Sequence, residues 1–166
     1  MGVQSHPKRL ALDTNVVMDL AAGVKAAEGF REKFQAAGYD LRIPPTVQVE
    51  LAYFSFGQDE KRKALARLAL ASLGKWRITP IVLSTIEECQ GKNFVTFVLD
   101  RGILPPNEEH DALILAEVGL ADFKALVTSD AAILNADPVE LERAFKDSGI
   151  SPVTPVHPRR MLKALR

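Results

Sequence analysis

The most telling pattern in the chain is a short apolar run that ends abruptly in polar groups. Leu10-Ala11-Leu12 leads straight into Asp13-Thr14-Asn15. An apolar run of this length suits a strand buried on both faces of a parallel sheet. Asp13 then stands at the strand's carboxyl end, the edge at which open α/β sheets bind ligands. The same pattern returns once, at Ala125-Leu126-Val127-Thr128-Ser129-Asp130. One such aspartate proves little, since Asp is also a common helix N-cap. Two strands each ending in aspartate can bring both carboxylates to one rim.

The rest of the pattern alternates between helix and strand. Val16 to Ala37 reads as helix, broken near Gly23, with Phe30 and Phe34 on one face and Gly38 placed to end it. Asp40 to Ile43 is a short second strand stopped by Pro44-Pro45. A helix follows from Thr46, its stripe formed by Val47, Leu51 and Phe54, with Glu50 inside that stripe. Gly57 ends it, and Asp59 to Leu73 forms an amphipathic helix with Lys61, Arg62, Lys63 and Arg67 facing outward, a run that, like the basic tail, either holds phosphates or is only a solvated face. Trp76 to Val82 is a third strand, and Pro80 within it predicts an edge or an irregular stretch. Ser84 and Glu87 have capping-box spacing for a helix that runs, with a break at Gly91, to Asp100. Pro105-Pro106-Asn107 opens the most apolar helix, Glu108 to Leu120, expected against the sheet. The fourth strand is Ala125 to Thr128. A short helical segment after Asp130 and a helix from Pro138 to Lys146 lead to a fifth strand around Val153 to Val156. Arg159 to Arg166 forms a short basic helix or a frayed end. Strands alternating with helices predict a parallel sheet with helices on both sides, in one domain spanning 1–166.

Composition narrows the chemistry by exclusion. At 166 residues the chain is long enough to bury roughly two-thirds of its unfolded surface. Lys+Arg and Asp+Glu are 21 each, so no global field advertises nucleic acid or a membrane surface; such binding has to come from local patches or metal ions. The lone Cys89 fits a reducing cytoplasm and the role of buried filler. Met1 to Arg9 lack the apolar stretch of a signal peptide, and no segment reaches the roughly 20 apolar residues of a membrane span. The expected location is cytoplasmic.

Candidate chemistry rests on four acids. Glu50 falls on a stripe whose other members are buried, where an unpaired carboxylate is costly unless it leans to solvent or meets an arginine. Asp111 lies one turn into the most apolar helix, where an acid also complements the helix dipole. Taken with Asp13 and Asp130, they occupy strand ends and helix starts at one rim. Four carboxylates sharing a pocket repel and raise one another's pKa. Hard divalent cations remove that conflict, and Mg²⁺ takes oxygen ligands while keeping several waters. Such a site activates water and stabilises charge on a phosphodiester. His6, His110 and His157 are scattered without zinc spacing, with His110 read as a helix-surface residue, and neither GxxxxGK[ST] nor GxGxxG is present.

The ordered set Leu12-Asp13-Thr14-Asn15, Glu50, His110-Asp111-Ala112-Leu113-Ile114-Leu115-Ala116 and Val127-Thr128-Ser129-Asp130 resembles the PIN-domain nucleases over roughly Leu10 to Val156. The resemblance implies a three-layer α/β/α sandwich around a mainly parallel sheet of about five strands. It also implies a Mg²⁺- or Mn²⁺-dependent endoribonuclease using Asp13, Glu50, Asp111 and Asp130, with Asp13, Asp111 and Asp130 as metal ligands. Thr14, Asn15, Thr128 and Ser129 are the implied supporting residues, and the implied products carry 5′-phosphate and 3′-hydroxyl ends. Many small members are toxins of VapBC-type pairs, so an antitoxin and a homodimer are the implied partners, and Tyr53, Phe54 and Phe56 offer either core or an apolar docking surface. One departure concerns the acid that some members carry after the last aspartate: Ala131 and Ala132 stand there. The alternatives are a housekeeping RNA-processing nuclease of this type and a non-catalytic module binding RNA or protein. A haloacid-dehalogenase phosphatase wants Asp-x-Asp, and Asn15 occupies its second position; a receiver domain wants an adjacent acidic pair, which Leu12-Asp13 does not supply.

Overall fold

The computed structural model describes residues 8–165; the polar leader before Lys8 and the terminal Arg166 lie outside the described residues. Five strands form one parallel sheet in the order β3-β2-β1-β4-β5. They are β1 (Arg9–Leu12), β2 (Asp40–Ile43), β3 (Ile78–Pro80), β4 (Ala125–Val127) and β5 (Thr154–Val156). In chain order the helices are α1 (Thr14–Ala21), α2 (Lys25–Ala36), α3 (Pro45–Phe54), α4 (Glu60–Ser72), α5 (Thr85–Asp100) and α6 (Glu109–Leu120). They continue with α7 (Ala131–Leu134), α8 (Pro138–Asp147) and α9 (Pro158–Ala164). The result is a three-layer α/β/α sandwich.

Helices on both faces bury the sheet completely at its centre. Leu10, Ala11 and Leu12 of β1 are all buried, as an unbroken apolar strand requires. The chain winds outward from β1 through β2 to β3, then returns to β1's other side with β4 and β5. The winding therefore reverses between β1 and β4, and a crevice forms at the carboxyl ends of strands at such a point. Register places Leu12 beside Val127, and the Asp13 amide donates to the Val127 carbonyl at 3.0 Å. Asp13 and the Thr128–Asp130 segment thus leave the sheet side by side.

Several local expectations are corrected. The third strand is only Ile78–Pro80, because Arg77 at φ 54° turns the chain just before it. Its place at the sheet edge accommodates Pro80, as expected of a residue without an amide donor. Helix α5 runs unbroken through Gly91, which is buried against Leu113, Ala116 and Leu120 of α6. The two helices pack along each other there, so α6 is covered by α5 as well as by the sheet. The Ser84–Glu87 capping box is formed. Cys89 is exposed on α5 rather than buried. Among the described residues no helix is long and apolar enough to cross a membrane.

One contact absent from the local pattern holds the two site-bearing helices together. Pro44 caps α3 without a side-chain acceptor. Buried Glu117 of α6 fills that role, accepting from the Thr46 amide at 3.0 Å and the Thr46 hydroxyl at 2.8 Å. An acid at a helix N-terminus satisfies orphan donors and complements the dipole.

Candidate functional site

At the switch point lies a cavity of about 290 Å³ lined by Asp13, Thr14, Asn15, Met18, Asp19, Glu50, Phe54, Arg62, Asp111 and Asp130. All four acids singled out from the sequence line it. Each arrives from a different element, and each is held in a different way.

Asp13 caps α1 and is buried. Its Oδ1 accepts from the Thr14 amide at 2.7 Å and its Oδ2 from the Thr128 hydroxyl at 2.6 Å. Burial pushes its carboxyl up to about 6. The Thr128 and Thr14 hydrogen bonds oppose that shift, while the charges of Glu50 and Asp130 add to it. Capping and site membership therefore coexist in one residue. Asp130 likewise caps α7, with the Ala132 and Ile133 amides both donating to Oδ1, at 2.8 and 3.2 Å. Thr128 joins the two strand ends, because its hydroxyl oxygen also accepts from the Asp130 amide at 2.9 Å. Asn15 contributes a parallel link, its Oδ1 accepting from the Ser129 amide at 3.3 Å. Thr14, Asn15, Thr128 and Ser129 are all within the framework around the acids.

Glu50 neither leans into solvent nor meets an arginine. Its Oε2 accepts a hydrogen bond from the Thr14 hydroxyl, and its Oε1 lies 3.1 Å from His110 Nδ1. His110 is exposed, as expected of a helix-surface residue, yet it closes over Glu50 from α6. The sequence offered little to reveal this, since residues 60 apart in the chain share no local pattern.

Asp111 is the least settled member of the group. Its Oδ2 is buried and has no hydrogen-bond partner. Burial first, then neighbouring Glu108 and the charges of Asp13 and Asp130, hold its carboxyl up at about 8. An orphaned carboxylate oxygen facing other acids is the observation most in need of a counter-charge. Among the described residues, no three acidic, histidine or cysteine side chains stand close enough to ligate one ion directly. The donors are nevertheless all hard oxygens. That combination fits a cation that takes one or two carboxylates and keeps its waters, which is the habit of Mg²⁺. Met18 and Asp19 complete the lining without having been singled out for it, together with Phe54 and with Arg62 from the basic run expected to face outward.

No protein-family model and no curated protein matches the chain. Among solved structures, it is similar to a chain of the crystal structure of VapBC2 from Rickettsia felis bound to a DNA fragment from their promoter. The likeness has a TM-score of 0.59 at 18% identity and covers 89% of this chain and 98% of that one. The fold is PIN-like. In that fold the carboxyl edge of β1 and β4 carries the acid-lined cavity, and the cavity's chemistry has to be argued from its own residues.

Proposed function

We propose that the protein is a cytoplasmic, metal-dependent endoribonuclease, the toxin of a type II toxin–antitoxin pair. The observation that carries this reading is the meeting of Asp13, Glu50, Asp111 and Asp130 in one cavity, with a buried Asp111 oxygen left unpartnered. Asp13, Asp111 and Asp130 are the residues to hold Mg²⁺ or Mn²⁺, directly or through its waters. When bound, the ion neutralises the pocket, activates a water and stabilises charge on a phosphodiester. The chain's own contribution is orientation. Thr128 ties Asp13 to the Asp130 backbone and so fastens the two strand ends to each other. Thr14 and His110 hold Glu50 from opposite oxygens, fixing its carboxylate at the cavity wall.

The toxin reading is supported by the likeness to VapBC2 and by apolar side chains left on the surface around Glu50. Val49, Tyr53 and Phe56 are 64%, 75% and 81% exposed. They are therefore not core, and an antitoxin segment or a second copy of the chain is the proposed cover.

Purified protein incubated with structured and unstructured RNAs in Mg²⁺, Mn²⁺ or EDTA tests the activity. Cleavage is expected with either metal and not in EDTA, and Asp13→Asn is expected to abolish it. Cleavage that persists in EDTA or in Asp13→Asn would defeat the proposal. Overexpression is expected to arrest growth unless a small antitoxin encoded beside this gene is supplied. Harmless overexpression with no such neighbour would leave a housekeeping nuclease.

A further inference from the structure

All but one of the charged side chains that line the cavity are acidic. Arg62 is the cation that lines it, among Asp13, Asp19, Glu50, Asp111 and Asp130. Its position has a local cause. Asp59 caps α4 and accepts from the Arg62 amide at 3.0 Å, which puts Arg62 in the helix's first turn. Arg67 Nε donates to the Ser55 carbonyl at 3.0 Å and fastens the corner between α3 and α4. That corner sets the Arg62 guanidinium over the ring of Phe54, the last residue of α3, at 3.6 Å from its centroid. Phe54 lines the same cavity.

Despite the surrounding acids, the guanidinium forms no ion pair among the described residues. Lys63 of the same basic run is paired with Glu60 at 3.1 Å, and neither Lys61 nor Lys63 lines the cavity. The structure thus selects one residue from a run of three. Stacking on an aromatic ring fixes the guanidinium plane and leaves its in-plane donors open. Such a fork matches a phosphate group in two-point geometry. A polyanion approaching this cavity is repelled by the carboxylates and attracted at Arg62.

We infer that Arg62, held over the ring of Phe54, binds a backbone phosphate of the RNA strand beside the one being cut. The inference rests on the nuclease reading above and adds the point at which the strand is gripped. Its test is anisotropy of fluorescein-labelled oligouridylate in EDTA across a series of KCl concentrations. Arg62→Ala is expected to weaken binding about tenfold. It is also expected to lower the slope of log affinity against log salt by about 0.7, the value for one phosphate on a single strand. Arg62→Lys is expected to keep the slope and recover only part of the affinity, because it retains charge without the fork. Phe54→Ala is expected to weaken binding with the slope unchanged. Lys75→Ala removes an exposed cation beyond the other end of α4 and is expected to match wild type. Wild-type affinity and slope in Arg62→Ala would overturn the Arg62 assignment alone, provided Mn²⁺-dependent cleavage is intact. A wild type that cleaves in Mn²⁺ but does not bind in EDTA also overturns it, since the fork requires no metal. A wild type that neither binds nor cleaves overturns the nuclease reading with it.

Discussion

Asp111 shows how one residue's environment separates two roles that look identical in sequence. An acid in the first turn of a helix stabilises it by about 0.3–1 kcal/mol when it faces solvent. Here one carboxylate oxygen is buried without a partner, and the group is held up at about 8. The folded chain therefore keeps a proton on Asp111 that the unfolded chain releases near pH 4. The associated stability is complete below about pH 4 and is lost as pH rises through about 8. Asp13 contributes in the same direction, its share lost as pH rises through about 6. Asp19 and Glu117 are raised too, chiefly by burial, so the wild-type slope is a sum. In EDTA the melting temperature is expected to fall from pH 5 to 8.5, and Asp111→Asn to flatten the upper part of that fall. The variant is expected to be at least as stable as wild type at pH 8, while responding less to Mn²⁺. Identical pH profiles for the two proteins, by thermal melts in EDTA, would return Asp111 to a plain helix-terminal role.

Among the elements, α6 carries the greatest number of consequences. It supplies Asp111 and His110 at one end and, two turns on, Glu117, which caps the helix bearing Glu50. Its placement depends on Gly119. A Cβ there would lie 2.5 Å from Ile150 Cγ2 and 2.6 Å from the Ser151 carbonyl oxygen. Replacing glycine by alanine inside a helix ordinarily gains about 1 kcal/mol. Gly119→Ala is instead expected to cost roughly 1–3 kcal/mol, because the added methyl forces α6 and the 150–151 segment apart. Gly29 of α2 has nothing within 4 Å of a built Cβ and serves as the contrast. Gly29→Ala is expected to stabilise by about 0.5–1 kcal/mol. Urea unfolding of both variants checks the pair; a stabilised Gly119→Ala would contradict the packing described for α6. The expected break at Gly91 failed for a different reason. Helix propensity marks glycine as a weak point, whereas here the packing of α5 along α6 keeps the helix continuous through it.

On the scale of the molecule, the proposed metal site couples folding to ion binding. A cation that binds the folded pocket and not the unfolded chain stabilises by about 2.7 kcal/mol at a hundredfold excess over its Kd. For a chain of this size that corresponds to about 5–11 °C in melting temperature. Mn²⁺ or Mg²⁺ at millimolar concentration is expected to give such a rise in wild type and a smaller one in Asp13→Asn. The rise is expected to grow with pH, since an ion held by Asp111 and Asp13 as proposed has to compete with their protons. Scanning calorimetry at pH 6 and pH 8 reads both effects. A wild-type melting curve indifferent to Mn²⁺ at both pH values would remove the case for a shared metal site.

What could be read without coordinates was whatever is written locally. Apolar runs ending in Asp13 and Asp130 announced buried parallel strands and the rim where the cavity lies, and Ser84 with Glu87 announced a cap that the structure forms. Helix and strand periodicities repeat within a few residues, so they survive in a one-dimensional record. The contacts that shape the site do not. Glu50 meets His110 across 60 residues, and Glu117 reaches Thr46 across 71. Hydrophobic pattern states which face of a helix is buried, but not which group will stand opposite it. Arg62 shows the difference most directly. By pattern it belongs to an outward basic run, and only the corner between α3 and α4 turns it onto Phe54 and into the cavity. Local polarity determined the elements and nominated the four acids; packing over long sequence separations decided their neighbours, the raised pKa of Asp13 and Asp111, and the cation that lines the cavity with them.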